Sequence, residues 1–143
     1  MLVSPTINSL HGRLISITGT DPPADTEISE TVPARRRWII RTLRFRLITD
    51  ATPANRYITI LIDDGTNFLL TFNISQVQSS GKTYTYSFAN INVGETFVDG
   101  ELFHPFPHLI LSASCRLRTF TSGLQAGDNY SAPQLLVEEW IDP

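Results

Sequence analysis

The chain is poor in the residues that most often carry chemistry or covalent staples. Among 143 residues it has one cysteine, Cys115, one lysine, Lys82, one methionine and three histidines. A lone cysteine closes no intramolecular disulfide, so the chain is not the stapled scaffold of a small secreted domain. The opening residues, Met1-Leu2-Val3-Ser4-Pro5, lack the basic start and apolar run of a secretory leader, and none is expected. No apolar stretch approaches the ~20 residues of a membrane-spanning helix. These absences point to a soluble protein made in a cytosol. Charged side chains are scarce too, at 17% against ~25% in an average domain, and Thr, Ser and Asn fill the gap. A surface of hydroxyls and amides suits flat sheets that meet other protein surfaces.

The motifs of catalysis are missing as well. No Gly-x-Ser-x-Gly elbow occurs. His104-Pro105-Phe106-Pro107-His108 offers two imidazoles on a proline-rich loop with no third ligand nearby, so a kinked loop with Phe106 packed inward is the simpler reading. Asp63-Asp64-Gly65 and Asp128 invite a calcium reading, but without an Asp-x-Asp-x-Asp-Gly loop they read as turn residues. Cys115 sits between Ser114 and Arg116 inside a strand-like run, with no histidine placed to activate it. The sequence therefore predicts no catalytic residue, no cofactor and no metal, and a protein that is not an enzyme.

What is present is alternation. Residues 11–18, 36–49, 56–62, 67–74, 83–89, 114–121 and 133–140 are rich in β-branched and aromatic residues and read as strands. The clearest period of two runs through Thr83 to Ala89, with Tyr84, Tyr86 and Phe88 on one face. In 36–49 the apolar phase shifts near Arg41: Trp38 and Ile40 carry it before, Leu43, Phe45 and Leu47 after. A β-bulge there reconciles the halves. Residues 19–34 and 90–107, punctuated by proline and glycine, read as long irregular segments, with short strand character recurring near 109–111. Residues 1–9 read as an arm and 10–143 as one domain of a size that buries its own core. About eight strands in antiparallel succession predict an all-β, two-sheet sandwich of jelly-roll type, with an immunoglobulin-like sandwich second.

The formal charge is −3, but it is uneven. Arg35, Arg36, Arg37, Arg41, Arg44 and Arg46 fall together, preceded by Asp21, Asp25, Glu27 and Glu30, while Glu138, Glu139 and Asp142 lie near the end. Opposite patches suit a self-associating or docking module, and they equally suit ion pairs across strands. Arg35, Arg36, Arg37, Arg44 and Arg46, with Tyr84 and Tyr86 of the aromatic strand, are the candidate interface residues. The negative balance argues against nucleic acid as a partner. Tyr57, Tyr84, Tyr86, Tyr130 and the two tryptophans could instead form a flat platform for sugar rings.

Three stretches carry a resemblance: Val32-Pro33-Ala34 leading to Arg37-Trp38; Thr52-Pro53-Ala54-Asn55-Arg56 leading to Ile60-Leu61-Ile62-Asp63-Asp64-Gly65; and Leu124-Gln125-Ala126-Gly127-Asp128-Asn129-Tyr130-Ser131-Ala132-Pro133 leading to Leu136-Val137-Glu138-Glu139-Trp140. Together they resemble the small all-β virion structural proteins of tailed bacteriophages, among them the capsid decoration or cement proteins. The resemblance implies a homotrimer on the capsid surface, assembled in the host cytoplasm, that binds the major capsid protein across capsomer junctions. It touches no membrane. A tail, neck or baseplate component, or a carbohydrate-binding jelly-roll module, would share the architecture.

Overall fold

The computed structural model describes residues 12–142, so the expected arm at 1–9 lies outside the described residues. Within them the chain is all-β. Its strands are β1 (Arg13–Thr18), β2 (Ser29–Thr31), β3 (Arg36–Ile48), β4 (Tyr57–Asp63), β5 (Phe68–Asn73), β6 (Thr83–Ala89), β7 (Thr96–Val98), β8 (Glu101–Pro105), β9 (Arg116–Ser122), β10 (Asn129–Tyr130) and β11 (Gln134–Ile141). They form two sheets. The larger runs β1-β11-β3-β6-β8-β7, with β10 added beside β3, and the smaller runs β2-β9-β4-β5.

Four antiparallel pairs nest in sequence: β4 with β5 innermost, then β3 with β6, β2 with β9, and β1 with β11 outermost. Successive pairs alternate between the sheets. One long antiparallel hairpin wound on itself produces this order, because each new pair must cover the open face of the last. The expected two-sheet sandwich is therefore present. Its strands number more than the eight foreseen, because short ones occupy segments read as irregular. β2 lies inside 19–34, and β7 and β8 inside 90–107. Asp99-Gly100, at φ 50° and 79°, makes the two-residue turn that joins β7 to β8. Purely antiparallel succession also fails in one place, since β8 runs parallel to β6. The run 109–111 supplies only an isolated bridge from Leu111 to Trp38.

β3 is the long central strand, and its phase shift is a bulge. Leu136 pairs with Thr42 and Val137 with Ile40, which leaves Arg41 as the extra residue. Beyond the bulge, Leu43, Phe45 and Leu47 point into the core opposite Phe88, Tyr86 and Tyr84 of β6. Phe45 stacks on Tyr86 at 5.4 Å and on Phe88 at 5.6 Å, and meets Tyr130 edge-on at 5.5 Å. Ile58, Ile60 and Ile62 of β4 and Leu117 of β9 close the core from the other sheet.

One end of the sandwich is held by a buried cation. The Arg56 side chain is fully enclosed. Its Nε and Nη2 donate to the two Asp128 oxygens at 2.8 Å each, and Nη2 also donates to Asp50 Oδ1 at 2.9 Å. Its Nη1 donates to the carbonyls of Thr52 and Ala54. Asp128 accepts further bonds from the amides of Asp50 and Gln125. Burial alone would push the Asp128 carboxyl up, but these donors, Arg56 foremost, outweigh it and hold the carboxyl below its usual value.

Removing one partner strands the other charge in the interior. Asp128→Ala is expected to cost about 3–5 kcal/mol, lowering the melting temperature by roughly 10–20 °C in a chain of this size, read by circular dichroism melts. Phe45→Ala is expected to cost a similar ~3–5 kcal/mol by leaving a cavity. Phe120→Ala, on a side chain 57% exposed, should stay within about 0.5 kcal/mol of the parent in urea titrations.

Candidate assembly surfaces

The arginines anticipated as interface residues divide into two groups. Arg36 Nε lies 3.6 Å from Glu139 Oε1, and Arg13 Nη2 lies 2.9 Å from the same oxygen. Trp38 Nε1 donates to Glu139 Oε2 at 2.9 Å. Arg41 pairs with Glu138, and Arg37 Nη2 with Asp142 Oδ1 at 2.7 Å. Pairing of β3 with β11 and of β11 with β1 puts these groups opposite one another, so Arg36 and Arg37 are spent within the chain. Arg35 is exposed in the left-handed region at φ 61°, and its carbonyl accepts the Asp142 amide. Arg44 and Arg46 are exposed on the outer face of the larger sheet and make no ion pair among the described residues. They border a polar cleft of about 520 Å³ with Thr85, Glu101, Ser131 and Gln134.

The two tyrosines do not form a surface patch. Tyr86 is fully buried, and its hydroxyl donates to Gln78 Oε1 at 2.7 Å. Burial drives its ionisation far above the ordinary phenol range. Tyr84 is half-buried, with its ring 4.8 Å from that of Phe97. The alternation in β6 separates two faces correctly, but the aromatic face is the inner one, because β3 presents Phe45 and Leu47 beside it. Tyr86 is thereby corrected from interface residue to core residue, and the sugar platform on this strand goes with it.

The smaller sheet supplies what sequence reading missed. Tyr57 of β4, Phe120 of β9 and Leu69 of β5 are all exposed. Thr59 faces Phe120 on one side and Asn73 on the other, so these strands share an outer face of mixed aromatic and hydroxyl character. Beside it Asp63 is 2% exposed beneath two arginines. Arg116 Nε donates to its Oδ1 and Arg118 Nε to its Oδ2, both at 2.7 Å. Burial would raise this carboxyl, but the bonds from Arg116, the Gly65 amide and Arg118 prevail and leave it low. The available signal was the polar phase of β9, where Arg116, Arg118 and Phe120 alternate with Leu117, Thr119 and Thr121.

His104 near the end of β8 and His108 beyond it border an apolar groove of about 460 Å³ lined also by Leu70, Phe72, Ile91 and Phe106. His104 lies flat on Phe72 at 4.9 Å, and its Nδ1 is 2.6 Å from the Pro105 carbonyl. Phe106 packs inward as expected, but His104 and Pro105 belong to β8, paired with Phe88 and Ala89, and not to a loop. Among the described residues no three His, Cys, Asp or Glu side chains gather as a metal set.

No family model matches this sequence, and no curated protein matches it. Among solved structures, a structure of infectious bursal disease virus strain Gx aligns at a TM-score of 0.37 and 15% identity, covering 88% of this chain and 33% of that one. A crystal structure of the T13 particle of the same virus aligns at 0.39 and 15%, covering 92% and 36%. The chain spans about a third of the length of those chains, and at these TM-scores the likeness establishes no common fold.

The low carboxyls of the buried Asp63 and Asp128 set an acid limit. Below the ordinary aspartate value of about 3.9 the unfolded chain binds protons that the folded Asp63 and Asp128 refuse. Their stabilisation is thus complete above about pH 4–5 and falls away as the pH drops through the folded values. Urea midpoints measured from neutral pH downward should fall steeply below about pH 4. Asp63→Asn should be less stable at neutral pH and lose less on acidification.

Proposed function

We propose that this chain is a virion structural protein that works by protein–protein contact, a jelly-roll capsid cement protein that binds the major capsid protein across capsomer junctions. The observation that carries the reading is the nested strand order. Four antiparallel pairs alternating between two sheets are what an eight-stranded jelly roll requires, and that architecture recurs in viral capsid and lectin domains. β7, β8 and β10 are then additions to the rim of the larger sheet. The turn stretches that resemble phage virion proteins support the same reading, since Arg56 of one and Asp128 of another form the buried ion pair.

A clamp on a shell must be rigid and must present adhesive surface on more than one side. The sandwich offers Arg44 and Arg46 on one outer face and Tyr57, Phe120 and Leu69 on the other. Contacts of this kind, aromatic and arginine on a flat scaffold, are the ones enriched at protein interfaces. Binding at the capsid surface through both faces would tie neighbouring capsomers together.

The test is the copy number of this protein in purified particles relative to the major shell protein, by quantitative mass spectrometry. A ratio near one copy per shell subunit is expected, with particles lacking it releasing their contents at lower temperature. A ratio of a few per cent would overturn cementing in favour of a tail, neck or baseplate position.

A further inference from the structure

A sheet edge offers a row of unpaired N–H and C=O groups, and native proteins blunt such edges by shortness, charge, proline or cover. Among the described residues three of the four edges follow that rule. β2 and β7 have three residues each, with Glu30 in β2, and β1 opens on the charged Arg13. β5 does not. Phe68-Leu69-Leu70-Thr71-Phe72-Asn73 has six residues, no charge and no proline, and Phe68 and Leu69 are 67% and 53% exposed. Among the described residues it pairs with β4 on one side only.

The hydrogen-bond phase says which groups are free. The Ile74 amide donates to the Ile58 carbonyl. In an antiparallel ladder bonded pairs alternate, so Phe72 with Ile60 and Leu70 with Ile62 are also bonded pairs. The amides and carbonyls of Thr71 and Asn73 therefore face the open edge, while Leu69 is the extra residue of a bulge, since Leu70 pairs with Ile62 and Phe68 with Asp63. Leu70 and Phe72, whose side chains point the other way, line the apolar groove beside that edge. Two independent features, an unblunted edge and an apolar groove, meet at one strand.

We propose that this edge is the contact between two copies of the chain, in which β5 pairs antiparallel with β5 of a second copy about a two-fold axis at Thr71. The complement of a free strand edge is another free strand edge, and this chain carries one with no charge to repel its twin. Parity fits as well. With Thr71 opposite Thr71, Leu69 faces Asn73 and Leu70 faces Phe72, so outward residues meet outward and groove-lining residues meet groove-lining. The free groups of Thr71 then bond to their twins, and the two smaller sheets join as one. The inference rests on the self-association in the cement reading and replaces its ring of three with an isologous pair.

Thr71→Cys tests it. Cα atoms of a bonded antiparallel pair lie about 5.5 Å apart, within disulfide reach. The variant should give a covalent dimer on non-reducing gels after air oxidation. Thr59→Cys, one strand inward, should not, nor should the parent, whose Cys115 is buried. Parent protein should sediment at dimer mass, and Thr71→Lys, placing two ammonium groups face to face, at monomer mass with an unchanged circular dichroism spectrum and a melting temperature that, unlike the parent's, does not depend on protein concentration. A monomeric parent, an uncrosslinked Thr71→Cys, or a Thr71→Lys dimer would each overturn the inference. High copy number in particles alongside any of these would leave the virion reading standing, and a crosslinked dimer absent from particles would do the reverse.

Discussion

The buried guanidinium of Arg56 is the constraint around which one end of the sandwich is arranged. Five hydrogen bonds leave it for two carboxylates and two carbonyls. Those partners belong to the β3–β4 connection and to the loop before β10, which are far apart in sequence. An ion pair at this depth gains little net stability over a well-packed apolar substitute. Its effect is on geometry, because a charge with no water can be satisfied in one arrangement only. The surrounding backbone is built to allow the approach. A Cβ at Gly123 would come within 2.2 Å of the Asn55 carbonyl, and Gly123 sits at φ 81°. A Cβ at Gly127 would meet the Asp50 carboxylate at 2.6 Å. With these loops tied, β10 and β11 arrive beside β3 in register.

From there the charge distribution sorts itself by depth. Acids that are buried collect the arginines: Glu138 and Glu139 take Arg13, Arg36 and Arg41, and Asp63 takes Arg116 and Arg118. These pairs neutralise what would otherwise be two basic faces. The surplus left on the larger sheet, Arg44 and Arg46, shares a cleft with Thr85, Ser131, Gln134 and a single acid, Glu101, with which neither forms an ion pair among the described residues. A chain with a negative total thus keeps a small cationic spot on a largely hydroxyl surface, which favours contact with another protein over contact with a polyanion.

The two sheets end differently. The larger sheet is extended past β6 by the β7–β8 hairpin, whose outermost strand is too short to template another. Among the described residues the smaller sheet has no such extension beyond β5. An edge left in that state, with Phe68 and Leu69 exposed on it, is either a hazard or a joint, and its position next to the groove under Phe72 favours the joint. A rigid sandwich with one unblunted edge and two patterned faces is a reasonable unit for building a surface.

Much of this architecture was legible along the chain. Alternation located the seven principal strands to within a few residues, and the broken apolar phase at Arg41 marked its bulge, because a period of two is a local property of the backbone. The short strands β2, β7, β8 and β10 escaped, since two to five residues hold too few alternations to stand out from the glycine and proline around them. The face that β6 turns inward could not be read, because a period separates two faces without saying which meets the other sheet. Only pairing with β3 decides that, and it sent Tyr86 to the core. The same holds for the arginines, whose availability depends on which acid lies across the sheet, and for β5, whose status as an edge is a fact about its neighbours. Local pattern determined the elements; who stands beside whom, a matter of contacts between distant residues, was decided only when the chain folded.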